Sequence, residues 1–314
     1  MVIMKGNNTL RNDVSYIALG SFDGIHQGHV SLVKKIVELA KENNGKSVVF
    51  TFKNHPREVL IPHSDMRLLI NNIEKEKIIK SYNVDKVYFQ EFTEEFMKYT
   101  PEEFIKYIKN KFNVAGIVVG FNFRFGYKNL GDTKLLKELS KKYNYDLYVM
   151  PPCKVEDQVI SSTIIRNLLV NGDIEDANKM LGRPYILKGI VVEGRKIGRT
   201  INFPTANVQY DKINLLPKNG VYYTNVVVNN EIYKAITNIG DNPTVNGQKI
   251  TLESYILDFD DNIYGKEMEV HFLKRIRNMI KFESLDELKL QLEKDKNYAK
   301  KEKSIYNNKS YLQI

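Results

Sequence analysis

Apolar residues in the first part of the chain gather into short runs, separated by stretches with helical spacing. The runs at 15–20, 47–52, 85–89, 115–120 and 145–150 read as strands. Between them, apolar positions recur every three or four residues over 30–42, 71–81, 101–112 and 132–142, which predicts helices. The third helix has a marked start: Thr100 as N-cap, Pro101 at the first helical position and Glu103 completing a capping box. Short apolar strands alternating with helices imply an α/β class with a parallel sheet covered on both faces. Ligands of such sheets bind outside the carboxyl ends of the strands.

The pattern changes after Met150-Pro151-Pro152. Two short helices are expected at 161–170 and 173–181, ended by Asn171-Gly172 and Gly182. Arg183-Pro184 then stops the pattern, which divides the chain into residues 1–183 and 184–314. The second part is strand-rich, with candidates at 186–193, 220–228, 231–239, 250–258 and 267–273. Asn229-Asn230 and Asp260-Asp261-Asn262 read as hairpin turns. A last helix runs from Ser284 to about Lys303, opened by a capping box of Ser284 and Glu287. Strands followed by one terminal helix predict a small closed β-barrel with the helix packed on it.

Length and charge narrow the class. A chain of 314 residues is comfortable for two cores. Its net charge of +9 is spread evenly, +5 in residues 1–183 and +4 in 184–314. No basic stripe with interleaved aromatics stands out, so small anionic substrates account for the charge better than nucleic acid does. A single cysteine, Cys153, excludes an internal disulfide and fits a reducing cytosol. No apolar run approaches a membrane span, and Met1–Gly6 lacks the apolar core of a leader. A cytoplasmic protein without a membrane partner is expected.

The chemistry concentrates at Gly20-Ser21-Phe22-Asp23-Gly24-Ile25-His26-Gln27-Gly28-His29, where the first strand turns into the first helix. The first N–H groups of a helix have no internal partner, and a phosphate suits them. The glycines let the backbone approach such a ligand. His26 and His29 are then placed to donate hydrogen bonds to charge building up on phosphorus. The plainer alternative is that both histidines cap the helix or bind water.

This segment resembles the nucleotidylyltransferase signature in the form carried by the bacterial bifunctional riboflavin kinase/FAD synthetase family. Three more stretches match in order: Thr51-Phe52 with His55-Pro56, Gly120-Phe121-Asn122-Phe123-Arg124-Phe125-Gly126, and Ser161-Ser162-Thr163-Ile164-Ile165-Arg166. Asn54 stands where the family usually has proline. Read alone, the serine–threonine run is also a plain N-cap, and His55 is more often solvated or structural than catalytic. The resemblance implies a Rossmann-like first domain that adenylylates FMN with ATP, giving FAD and pyrophosphate. It assigns His26, His29 and Arg166 to the ATP phosphates, with Asn122 nearby. Gly20, Ser21, Phe22, Asp23, Gly28, Ser161, Ser162 and Thr163 would line the nucleotide, and Mg²⁺ would bridge its oxygens.

In the second part, Phe203-Pro204-Thr205-Ala206-Asn207 resembles the flavokinase signature, although by itself it reads as a turn entering a strand. Thr205 and Asn207, two apart, point to the same side of an extended chain and offer neutral oxygens. The resemblance implies that they bind ATP and Mg²⁺. It also makes Glu253 the base for the riboflavin 5′-hydroxyl, supported by Asn238-Ile239-Gly240, Pro243-Thr244 and Ile263-Tyr264-Gly265-Lys266. Asn202 replaces a usual glycine and Asn242 a usual arginine; asparagine tolerates left-handed geometry. The resemblance spans about residues 14–303. The expected partners are riboflavin, FMN, FAD and ATP. The competing readings are a nucleotidylyltransferase for another phosphorylated substrate with a flavin-sensing barrel, and a nucleic-acid-binding protein.

Overall fold

The structure, a computed structural model, describes residues 14–56, 59, 66–194, 197–244 and 247–303. It falls into two compact units: the described residues up to Met66 with Ile70–Ser161, and Arg67–Leu69 with the described residues from Ser162 on.

The first unit is a five-stranded parallel sheet: β1 (Ser15–Leu19), β2 (Lys46–Phe52), β3 (Lys86–Gln90), β4 (Val114–Gly120) and β5 (Asp146–Met150). Their order is β3-β2-β1-β4-β5. Its main helices are α1 (Gln27–Glu42), α2 (Asn72–Ser81), α3 (Pro101–Phe112) and α4 (Thr133–Tyr143). Strand alternation sorts the core into two layers. Ile17 and Leu19 of β1 pack with Phe104, Ile105 and Ile108 of α3 and Leu136 of α4. Tyr16 and Ala18 face the other way, toward Val33 and Ile36 of α1 and Ile78 and Ile79 of α2. All five residues of β1 are buried, as a central strand covered on both faces requires. The chain order reverses between β1 and β4, so a crevice opens at their carboxyl ends. The capping box of Thr100 and Glu103 forms as expected.

The second unit opens with α5 (Ser162–Asn171) and α6 (Ile174–Leu181). A closed barrel follows, of β6 (Tyr185–Val192), β7 (Ala206–Tyr210), β8 (Gly220–Val228), β9 (Glu231–Thr244), β10 (Gly247–Ile256) and β11 (Glu267–Arg277). The barrel order is β8-β9-β10-β7-β6-β11, with antiparallel neighbours throughout. The expectation of five strands is corrected to six: β7 is polar at Asn207 and Gln209 and lacks the apolar run that marks the others. Pairing with β6 on one side and β10 on the other makes it a strand. Inside the barrel, Thr224, Thr237 and Ser254 hydroxyls link three strands at 2.7 and 2.8 Å, all fully buried. The terminal helix α7 (Leu285–Lys301) is tied to β11 by Arg277, which pairs with both carboxylate oxygens of the buried Asp295.

Helices α5 and α6 are fixed to the barrel by specific groups. The buried Asn178 amide donates to the Phe272 carbonyl at 2.8 Å, and its oxygen accepts from the Tyr185 N–H at 2.8 Å. The Lys218 N–H donates to the Leu169 carbonyl. A Cβ on Gly172, whose φ is +88°, would lie 2.7 Å from the Arg275 side chain. Compactness therefore groups α5 and α6 with the barrel, upstream of the Arg183-Pro184 break in the sequence pattern.

Candidate active site

The turn between β1 and α1 is buried and strained. Phe22, Asp23 and Ile25 are almost inaccessible, and φ is positive at Phe22 (48°), Gly24 (82°) and Ile25 (42°). A β-branched residue in that region is unusual and persists only where its surroundings hold it. Two donors do so at one point. The Thr51 hydroxyl at the end of β2 donates to the Ser21 carbonyl at 2.8 Å. The Lys75 ammonium on α2 donates to the same oxygen at 3.0 Å.

The capping alternative holds for His26. It is the N-cap of α1: its Nδ1 accepts from the His29 N–H at 3.3 Å. That bond places the proton of the neutral ring on Nε2. The two imidazoles stack, with centroids 3.7 Å apart and planes at 15°. His29 also meets the Phe22 ring at 5.1 Å, and its Nδ1 is buried with no partner among the described residues. Burial first, then His26 and Lys75, push the His29 pKa well below its usual range, so the ring is neutral near pH 7. Gly28 is small for a reason: a Cβ there would sit 3.2 Å from the His26 ring.

Lys75 is a site residue that the motifs do not mark. It is only 5% exposed, and burial lowers its pKa to about 8, with Asp23 opposing the shift. The signal available in the sequence is a lysine standing three and four residues before Ile78 and Ile79, on the buried stripe of α2.

Asn122 follows β4, next to β1 in the sheet, so its loop and the histidine turn leave the same end of adjacent strands. It is exposed, while Phe125 anchors the loop below it. Arg124 makes a surface pair with Asp132 at 3.6 Å. Asn54 uses its amide to bridge to Phe92, donating to the carbonyl and accepting from the N–H. Ser161 closes the first unit, whereas Ser162, Thr163 and Arg166 belong to the second. There the Arg166 Nε donates to the Arg67 carbonyl at 3.2 Å.

In the barrel, Thr205 precedes β7, and Asn207 lies directly opposite Glu253 of β10. The Thr205 hydroxyl approaches a Glu253 oxygen at 3.5 Å. A Cβ on Gly194 would lie 2.2 Å from the Asn207 amide, so that side chain lies over bare backbone. A cavity of about 480 Å³ is lined by Thr205, Asn202, Ser254, Asp260, Asp261 and Tyr264 among others. Asn202 takes φ +61°, the left-handed conformation that lets it replace glycine. The side chain of Asn242 lies outside the described residues. Thr205, Asn207 and Glu253, named from the sequence, thus come together, as do Gly20 to His29.

An FAD synthetase family model matches residues 9–164, and a riboflavin kinase model matches residues 181–303. The bifunctional riboflavin kinase/FMN adenylyltransferase of Haemophilus influenzae is 36% identical over 286 residues, covering 90% of this chain and 92% of its own. That of Bacillus subtilis is 37% identical over 295 residues, with 91% of each covered. The chain belongs to the bifunctional riboflavin kinase/FMN adenylyltransferase family. A Streptococcus pneumoniae crystal structure described as a macrolide-efflux protein shares the family member's fold. It has 34% identity and a TM-score of 0.86, with 93% of this chain and 95% of that one covered. Among the described residues of this chain, no helix is long and apolar enough to cross a membrane.

Proposed function

We propose that the second unit phosphorylates riboflavin to FMN with ATP, and that the first adenylylates FMN to FAD with release of pyrophosphate. One observation carries the reading: each unit holds its own phosphate-directed cluster. The stacked His26 and His29 stand at the strand-order reversal, and Thr205, Asn207 and Glu253 meet beside the barrel cavity.

In adenylyl transfer, an FMN phosphate oxygen bonds to the α-phosphorus of ATP while the bond to pyrophosphate breaks. Negative charge grows on the phosphoryl oxygens and the leaving group. His26 donates from Nε2, and the neutral His29 adds a donor without a second positive charge against its stacked neighbour. The free N–H groups of α1 act on the same charge. Asn122 is assigned to the reacting phosphates and Arg166 to phosphate on its motif.

In the kinase step, the riboflavin 5′-hydroxyl attacks the γ-phosphorus and ADP leaves. Glu253 accepts the hydroxyl proton, and its neighbour Thr205 is close enough to orient it. The donor set of Thr205 and Asn207, neutral oxygens beside a carboxylate, fits a magnesium–nucleotide complex. Mg²⁺ held there would neutralise phosphate charge. Residues 1–183 and 184–314 are taken as the two catalytic domains by chemistry, in a cytoplasmic enzyme that uses no nucleic acid.

The test is incubation of the chain with riboflavin, ATP and Mg²⁺, with the flavins separated by chromatography. FMN is expected first and FAD after it. Absence of both products would refute the reading.

A further inference from the structure

The strained turn that carries the histidines is held from beneath by a buried charge. Lys75 reaches it from α2, a helix whose start is fixed by Asn71 capping the Glu74 N–H at 2.9 Å. Within one turn of that cap, the side chain enters the core beside Ile78 and Ile79 and ends on the Ser21 carbonyl. A buried ammonium is costly unless paired and hydrogen-bonded. Lys75 has both forms of compensation, the Ser21 carbonyl and the charge of Asp23, and both lie in the phosphate turn. Core packing alone would be served better by an apolar residue at this position.

Fixing the Ser21 oxygen has a geometric result. A trans peptide is planar, so its carbonyl direction sets that of the following N–H on the opposite side. Lys75 and Thr51 together hold the Ser21–Phe22 peptide plane, from which the chain enters the positive-φ stretch leading to His26. The ammonium also acts on His29, favouring its neutral form.

We propose that Lys75 is a positioning residue for adenylyl transfer: it pins the Ser21 carbonyl beneath the strained turn and so holds His26 and His29 where the phosphates react. The proposal rests on the assignment of FAD formation to this turn. Among the described residues, the charged and titratable groups facing His29 are His26 on its own turn and Lys75 on α2; those facing Lys75 are Asp23 and His29.

The experiment compares wild type, Lys75→Met, Thr51→Val and the double variant in the full-length chain. FAD formation from supplied FMN and ATP is followed across pH, and folding is checked by circular dichroism. Lys75→Met is expected to lower kcat by about 10²-fold with little change in KM for ATP, since a misaligned donor set weakens only transition-state contacts. Without the nearby positive charge, His29 protonates more readily, so the acid limb of the profile moves to higher pH. Thr51→Val, which keeps the shape of the buried side chain, should lower kcat by about tenfold. The double variant should be little worse than Lys75→Met, because both donors act on one oxygen. A wild-type-like kcat in folded Lys75→Met overturns the proposal. So does a loss with an unmoved acid limb and strict additivity, which marks general loosening. Should Lys75→Met not fold, an unaffected kcat in Thr51→Val overturns it. A wild-type chain that makes no FAD fails at the level of the function itself, a separate outcome.

Discussion

In the proposed reaction His29 is a donor, and its surroundings keep it uncharged. Removing it by His29→Ala should lower FAD formation by about 10²–10³-fold, the usual loss for a transition-state donor, while FMN formation continues. Assaying the two half-reactions separately checks this. The pH dependence has a definite sign. The unfolded chain protonates a histidine near its usual value of 6.5, and the folded chain resists until lower pH. FAD formation should therefore hold through pH 6.5 and fall only below it. In the same window the unfolded state binds more protons, so acidification takes stability from the wild type that His29→Ala does not lose. Thermal melts from pH 7 to 5 test the second half of that claim. In the barrel, Glu253→Gln keeps the shape but not the basicity, and FMN formation should drop by about 10²–10⁴-fold. Riboflavin binding and FAD formation from supplied FMN should persist; normal FMN production would remove Glu253 from the role of base. His26 and Glu253 could be named as candidates from the sequence because each sits within a matched stretch. Lys75 could not, since its meaning depends on a fold that brings α2 under a turn more than fifty residues away.

At the level of elements, the strands of the first unit were legible because buried parallel strands are continuous apolar runs, and Ala115–Gly120 is one. The start of α1 was read three residues late, at 30 rather than Gln27. Its cap is a histidine, outside the usual Ser, Thr, Asp and Asn set, and Gln27-Gly28-His29 adds no apolar position. Strand β7 was absent from the apolar strand candidates, although Pro204-Thr205-Ala206-Asn207 read as a turn entering a strand, because its pairing is with partners distant in sequence, Glu253 and Ser254 on one side among them. Helix α7 presents a different case. Its capping box announced it, but its attachment through Asp295 needed the structure. Asp295→Ala would strand Arg277, which is 15% exposed, without its bidentate partner. Breaking a buried pair in this way costs about 3–5 kcal/mol. The barrel should unfold at correspondingly lower urea concentration, with β11 and α7 losing amide protection first.

For the molecule as a whole, the sequence pattern breaks at Arg183-Pro184, yet compactness begins the second unit at Ser162. Asn178 explains why: cutting at 184 removes the side chain that caps the Tyr185 N–H and the Phe272 carbonyl, leaving both backbone groups of the barrel without it. A fragment of residues 162–314 should make FMN but not FAD and melt higher than one of 184–314; equal melting temperatures would show that α5 and α6 add nothing. The two units also differ in how they end sideways. The barrel closes on itself, whereas β3 and β5 are the edge strands of the open sheet among the described residues, with Val149 of β5 43% exposed. Open edges invite pairing with other chains, and parallel sheets form slowly. On heating, FAD-forming activity should therefore fall and scatter light before FMN formation declines. Under heat stress, the composition of the flavin pool would tilt toward the mononucleotide, a metabolic imbalance traceable to the two edge strands of one sheet.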